Sequence, residues 1–315
     1  MFAILGLFGV MMAGLAADVL VSGRGDAADE SEDMPPEDEG SISDGNLLDE
    51  LAGDPTIPTS DDIADPADEA VTVTGTQDAD VLDGFGGNDE IEGGDGADLI
   101  NGRAGDDSIG AGDGNDSVHG DLGDDVIDGG AGKDSLSGCD GDDSLSGDAG
   151  NDTLLGGQGN DRLDGGEDDD WLSGGDGDDR LSGGAGADDL DGGRGDDTIS
   201  GVETDSGQEA DFINGGEGND HLVLGPGDYA TGGAGNDDFV LQEWLNEASV
   251  THIADYDPDA DRLVIVYDQA VHPDPVLTVE PNEGGSGHAI FIDGAKIAVV
   301  NGAPVSADDV RLVAA

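Results

Sequence analysis

An aspartate returns every nine residues, fourteen times in succession from Asp80 to Asp197. Carboxylates at constant spacing form a row of hard anionic oxygens, which suits a hard cation rather than a catalytic step. The surrounding pattern is Gly-Gly-x-Gly-x-Asp-x-U-x, with U aliphatic. Gly129-Gly130-Ala131-Gly132-Lys133-Asp134-Ser135-Leu136-Ser137 and Gly174-Gly175-Asp176-Gly177-Asp178-Asp179-Arg180-Leu181-Ser182 are clean copies. The glycines permit positive φ and allow backbone carbonyls to come close to an ion. The candidate carboxylate ligands are Asp89, Asp98, Asp107, Asp116, Asp125, Asp134, Asp143, Asp152, Asp161, Asp170, Asp179, Asp188 and Asp197, followed by Asp220 and Asp237. The candidate carbonyl donors are the second and fourth residues of the clearest copies: Gly94, Gly96, Gly130, Gly132, Gly157, Gly159, Gly175, Gly177, Gly184, Gly186, Gly193 and Gly195.

Charge narrows the partner. The chain carries 76 acidic residues against nine basic ones, for a formal charge of −67. Nucleic acid is excluded, because phosphate recognition needs clustered Lys and Arg. Calcium takes six to eight oxygens in flexible geometry, whereas magnesium demands a tighter octahedron, so glycine-loop carbonyls favour calcium. Roughly ten ions are expected. Asp168 stands in place of a fourth-position glycine, and the first copy, Thr76-Gln77-Asp78-Ala79-Asp80, lacks the glycines, so weakened or missing sites are expected at both. Cys139 is the single cysteine and also replaces a repeat glycine; no intramolecular disulfide can form.

A fixed short period requires a solenoid to position these groups. Each nonapeptide should give six turn residues and a three-residue strand x-U-x, with U pointing inward. The expected core is one aliphatic residue deep: Leu82, Ile91, Ile100, Ile109, Val118, Ile127, Leu136, Leu145, Leu154, Leu163, Leu172, Leu181, Leu190 and Ile199. If two nonapeptides make one coil, alternate aspartates line opposite edges, and stacked coils bring those of one edge to about 4.8 Å from each other. Like charges at that spacing repel by roughly 3.5 kcal/mol per pair at an effective dielectric near 20. An ion at about ten times a millimolar-class dissociation constant returns about 1.4 kcal/mol per site. The array is therefore expected to fold when calcium is present and to stay open at submicromolar calcium.

The flanks differ from the repeats. Residues 1–21 form an apolar segment read as a membrane anchor or a cleaved signal, with membrane contact through it. Residues 22–72 are acidic and rich in proline, as in a self-repelling linker. The β-roll should occupy 73–241, with a loop at 201–210, where five extra residues break the period. From 242 to 315, short apolar runs separated by Asp257-Pro258-Asp259, Asp293-Gly294 and Asn301-Gly302 suggest a small antiparallel β cap over the open solenoid end.

Residues 75–241 resemble the RTX, or hemolysin-type, calcium-binding proteins. The resemblance implies an all-β fold, a parallel β-roll with ions held between successive turns by the aspartate carboxylate and glycine-loop carbonyls. Ile253-Ala254-Asp255-Tyr256-Asp257-Pro258-Asp259-Ala260-Asp261-Arg262-Leu263 is similar to the strand and turn that follow many such arrays. The end, Ala307-Asp308-Asp309-Val310-Arg311-Leu312-Val313, resembles the family's acidic-then-apolar tail. Together these imply the type I secretion machinery as a partner, with folding outside the cell; the apolar N-terminus departs from the pattern.

No His-Glu-x-x-His pair or Gly-x-Ser-x-Gly elbow occurs. The expectation is a non-catalytic, secreted or cell-surface calcium-binding protein with a structural or adhesive role. The alternative is an accessory module for extracellular polysaccharide, for which Trp171, Arg162 and Arg180 at outward positions are the candidate contacts; an exoenzyme is the remaining reading.

Overall fold

The computed structural model describes residues 69–202, 209–242, 249–283 and 287–315. Within them each x-U-x triplet is extended, and successive strands alternate between two facing parallel sheets of 12 and 13 strands. A strand therefore pairs with the one two repeats later. Thr153 lies opposite Trp171 and Leu154 opposite Leu172 on one sheet, and Leu163 lies opposite Leu181 on the other. Two nonapeptides make one coil, as the spacing implied.

The inward residue of every triplet is buried, from Leu82 through Ile199 and on to Ile213, Leu222 and Phe239. One aliphatic layer from each sheet closes the space between them. Strands are longer than the expected triplet: Ser135–Asp140 and Trp171–Asp176 each span six residues. Pairing continues into the glycine segment, where Gly157 meets Gly175 and Gln158 meets Asp176. Identical corners stacked in register can satisfy one another's backbone groups, so the ladder does not stop where side-chain alternation does.

The slip after Asp197 leaves the sheets in register. Thr198 still pairs with His221 and Asp189 with Phe212. The expected loop at 201–210 lies largely outside the described residues, as do the expected N-terminal segment 1–21 and nearly all of the linker 22–72. Among the described residues no helix is long and apolar enough to cross a membrane.

Parallel winding continues beyond the last consensus repeat through Thr251–Tyr256 and Arg262–Tyr267, and Val310–Ala314 closes the 12-stranded sheet. The antiparallel part is confined to Leu277–Pro281, His288–Ile292 and Ala295–Gly302, which close the 13-stranded sheet. There the core widens to aromatic size, with Phe239 and Tyr256 packed edge to face at 6.1 Å.

One expected grouping is not assembled. Arg162 and Arg180 are neighbours on the 12-stranded sheet, whereas Trp171 projects from the 13-stranded sheet. Residues nine apart fall on opposite faces when two repeats make a turn, so the three cannot share a ligand.

Candidate metal-binding ladders

The repeat aspartates form two continuous ladders, joined by a hydrogen bond that each backbone N–H donates to the carboxylate one coil later. On one edge Asp89 donates to Asp107, Asp107 to Asp125, and so on through Asp143, Asp161, Asp179, Asp197, Asp220 and Asp237 at 2.8–3.0 Å. On the other edge Asp80, Asp98, Asp116, Asp134, Asp152, Asp170, Asp188, Asp211 and Asp228 repeat the arrangement. Both ladders cross the insertion, where partners are 23 residues apart instead of 18. Every acceptor is Oδ1.

The other oxygen behaves differently. Among the described residues, fourteen repeat aspartates have a buried Oδ2 with no hydrogen-bond partner: Asp89, Asp98, Asp107, Asp116, Asp125, Asp134, Asp143, Asp152, Asp161, Asp170, Asp179, Asp188, Asp197 and Asp220. A single buried, unpaired anionic oxygen costs kilocalories, and a native chain does not normally keep a row of them without a compensating group. Three of the four ladder ends are satisfied locally. Asp80 Oδ2 accepts from the Thr76 N–H and hydroxyl, Asp228 Oδ2 from Gly225 N–H, and Asp261 Oδ2 from Asp257 N–H. Oxygens are thus left open along most of the array and closed at three of its four ends, Asp89 being the exception.

Except at Asp116, whose repeat begins with Ala111, each open Oδ2 points at the first glycine of its own repeat. A Cβ built on Gly156 would lie 2.3 Å from Asp161 Oδ2 and 2.6 Å from the Gly174 carbonyl oxygen of the next coil. At Gly165 the same point is 2.3 Å from Asp170 Oδ2 and 2.4 Å from Gly183 O. Carboxylate and carbonyl oxygens converge where a methyl group would otherwise be. Gly130, Gly132 and the other expected second- and fourth-position glycines all adopt positive φ. Their carbonyls point along the array: a Cβ on Gly132 would lie 1.4 Å from the oxygen of Gly114 one coil away. Such a set of oxygens fits a calcium ion, which takes carbonyl and carboxylate donors together. Among the described residues no three His, Cys, Asp or Glu side chains converge on one point, so any ion held here depends on the backbone.

Burial drives the titration of these groups. It pushes Asp170 up to about 8, Asp125, Asp161 and Asp197 to about 7, and Asp134, Asp143, Asp188 and Asp220 to about 6. The backbone N–H from the preceding coil pulls each down, and neighbouring carboxylates push it back up. A cation among the Oδ2 atoms would reverse that balance and favour the ionised form.

Sequence reasoning overlooked two sets of residues. The first-position glycines, such as Gly156, Gly165 and Gly174, do not need positive φ, so a conformational argument passes over them; what they supply is space. Asp211, Asp228 and Asp261 occupy ladder positions although the local spacing departs from nine. Asp228 and Asp261 close the ends, and Asp261 accepts the Asp237 N–H at 3.1 Å. Asp168 holds a positive φ of 74° where glycine is expected, as does Cys139 at 84°, so the chain keeps the corner at the cost of strain.

A family model described as the RTX calcium-binding nonapeptide repeat, in four copies, matches in overlapping stretches over residues 74–199 and again over 205–229. No curated protein matches the chain.

Proposed function

Residues 74–229 belong to the RTX calcium-binding nonapeptide repeat family, and from that premise we propose a non-catalytic, secreted or cell-surface protein whose β-roll folds when calcium fills both ladders. The observation that carries this reading is the set of fourteen buried, unpartnered Oδ2 atoms among the described residues, with three of the four ladder ends satisfied by the chain itself. Asp89, Asp98, Asp107, Asp116, Asp125, Asp134, Asp143, Asp152, Asp161, Asp170, Asp179, Asp188, Asp197, Asp220 and Asp237 would supply carboxylate oxygens. Glycine carbonyls would supply the remainder, for on the order of ten ions.

Calcium supplies the charge that lets stacked carboxylates remain ionised and buried. Cytosolic calcium is too dilute to do so at millimolar-class sites, while extracellular calcium suffices. The chain would therefore leave the cell open, through a type I channel reached by its C-terminal region, and become a stiff structural or adhesive element outside. The test is calcium titration of the full chain followed by circular dichroism, together with fractionation of producing cells. The reading requires a cooperative gain of β signal in calcium and recovery of the chain from the medium or the cell surface. An equally ordered chain in excess chelator, or one retained in the cytoplasm, overturns it.

A further inference from the structure

Besides the ladders, the 13-stranded sheet carries an outward column that runs in register through Trp171, Asp189, Phe212, Tyr229 and His252. The Phe212 and Tyr229 rings stack at 5.2 Å and 14°, and Tyr229 and His252 at 4.8 Å and 5°. In a chain with only 3% aromatic residues, three consecutive coils place rings side by side, and Phe212 and Tyr229 remain 56% and 46% exposed. Beside them runs an open groove of about 400 Å³, within the size range of small-ligand sites.

The polar lining of the groove is rich in acceptor oxygens. Asn214 donates one of its two amide N–H groups to Asp191 at 2.8 Å, and Thr231 donates its hydroxyl proton to Asp255 at 2.6 Å. The Asn214 carbonyl and Thr231 oxygen retain lone pairs, and the Asp189 carboxylate stands at one end of the lining. No Lys or Arg lines the groove, and burial together with nearby Lys296 lowers the His252 pKa, keeping that ring neutral. A ligand must therefore present apolar faces to aromatic rings and hydroxyl donors to oxygens, without negative charge. The sheet interior offers no free backbone edge, so an added peptide strand is not accommodated. Acidic polymers meet Asp189 and a chain of charge −67.

We infer that this groove binds a neutral oligosaccharide, with Phe212, Tyr229 and His252 as the stacking wall and Asp189, Asn214 and Thr231 as acceptors for sugar hydroxyls. No ladder carboxylate lines the groove, so the inference does not depend on which calcium sites fill. Affinity electrophoresis of the full chain in calcium tests it, using gels that contain β-glucan, xylan or mannan, with alginate as the acidic comparison. The expected result is retardation by at least one neutral polysaccharide, with affinity weakened about tenfold by Tyr229→Ala or Phe212→Ala. Val126→Ala, an exposed change on the opposite sheet, should leave retardation unchanged. Circular dichroism of each variant in calcium separates loss of the groove from loss of the fold, and whichever aromatic variant folds decides the matter. Passage through every neutral gel without delay overturns the inference, as does delay that survives the folded aromatic variant or delay in alginate alone.

Discussion

Replacing Asp161 by asparagine would keep an oxygen for the Asp143 N–H while putting a donor in place of the open Oδ2. Asp161→Asn should lose one or two bound ions and need more calcium to fold, yet be no less ordered than the parent in chelator, since a repulsive charge has gone. Metal analysis and calcium-titrated dichroism read both halves. Gly156→Ala leaves every charge in place but puts a methyl group where Asp161 Oδ2 and Gly174 O converge. It should weaken calcium binding without the benefit in chelator, and the pair distinguishes space from charge. The chain contains a natural version of that change, because Ala111 is fully buried at the first position of the Asp116 repeat. Titration has a defined sign. Folded-state pKa values raised to about 6–8 from an ordinary 3.8 mean that the ion-free roll binds more protons than the open chain. Its stability is greatest below about pH 4 and falls as pH rises toward 8. In chelator, β signal should therefore grow on acidification. Calcium must displace those protons, so its apparent affinity should strengthen from pH 5 to 8, and calorimetry in buffers of different ionisation enthalpy should detect the release.

At the scale of the strand, two repeats make one coil, so deletions of nine and eighteen residues are different experiments. Removing 156–173 withdraws one coil and leaves every later strand on its own sheet. Removing 156–164 transfers all later strands to the opposite sheet and presents the C-terminal strands to the wrong edges. The longer deletion should keep a single cooperative calcium transition with about two fewer ions; the shorter should broaden or split it. Inward aliphatics, alternating edges and aspartate spacing were legible in the sequence because a strict period leaves one register for all of them. The six-residue strands were not, since hydrogen bonding between stacked glycine corners leaves no hydropathy signal. Nor was the aromatic column: Phe212, Tyr229 and His252 are spaced 17 and 23 residues apart, beyond the regular repeat. Only counting coils brings them together, and the same counting parts Trp171 from Arg162 and Arg180.

For the molecule as a whole, folding should appear as a cooperative transition at roughly 0.1–1 mM calcium, with magnesium a poor substitute. Concentrated monovalent salt should not replace calcium either, because ladder carboxylates are buried and screening acts mainly on exposed charge. Dichroism in chelator with added sodium chloride checks that outcome. The C-terminal region was legible as β structure from its turn residues, but its continuation of the parallel winding was not, because it carries no nonapeptide consensus. The direction of the ladder bonds has a further meaning. Each coil hands its amide forward to a carboxylate that the chain has yet to supply, and the last hand-over goes to Asp261, while Asp255 takes the N–H groups of Gly232 and Gly233. A chain cut short after any coil would therefore end in an amide whose carboxylate partner is missing.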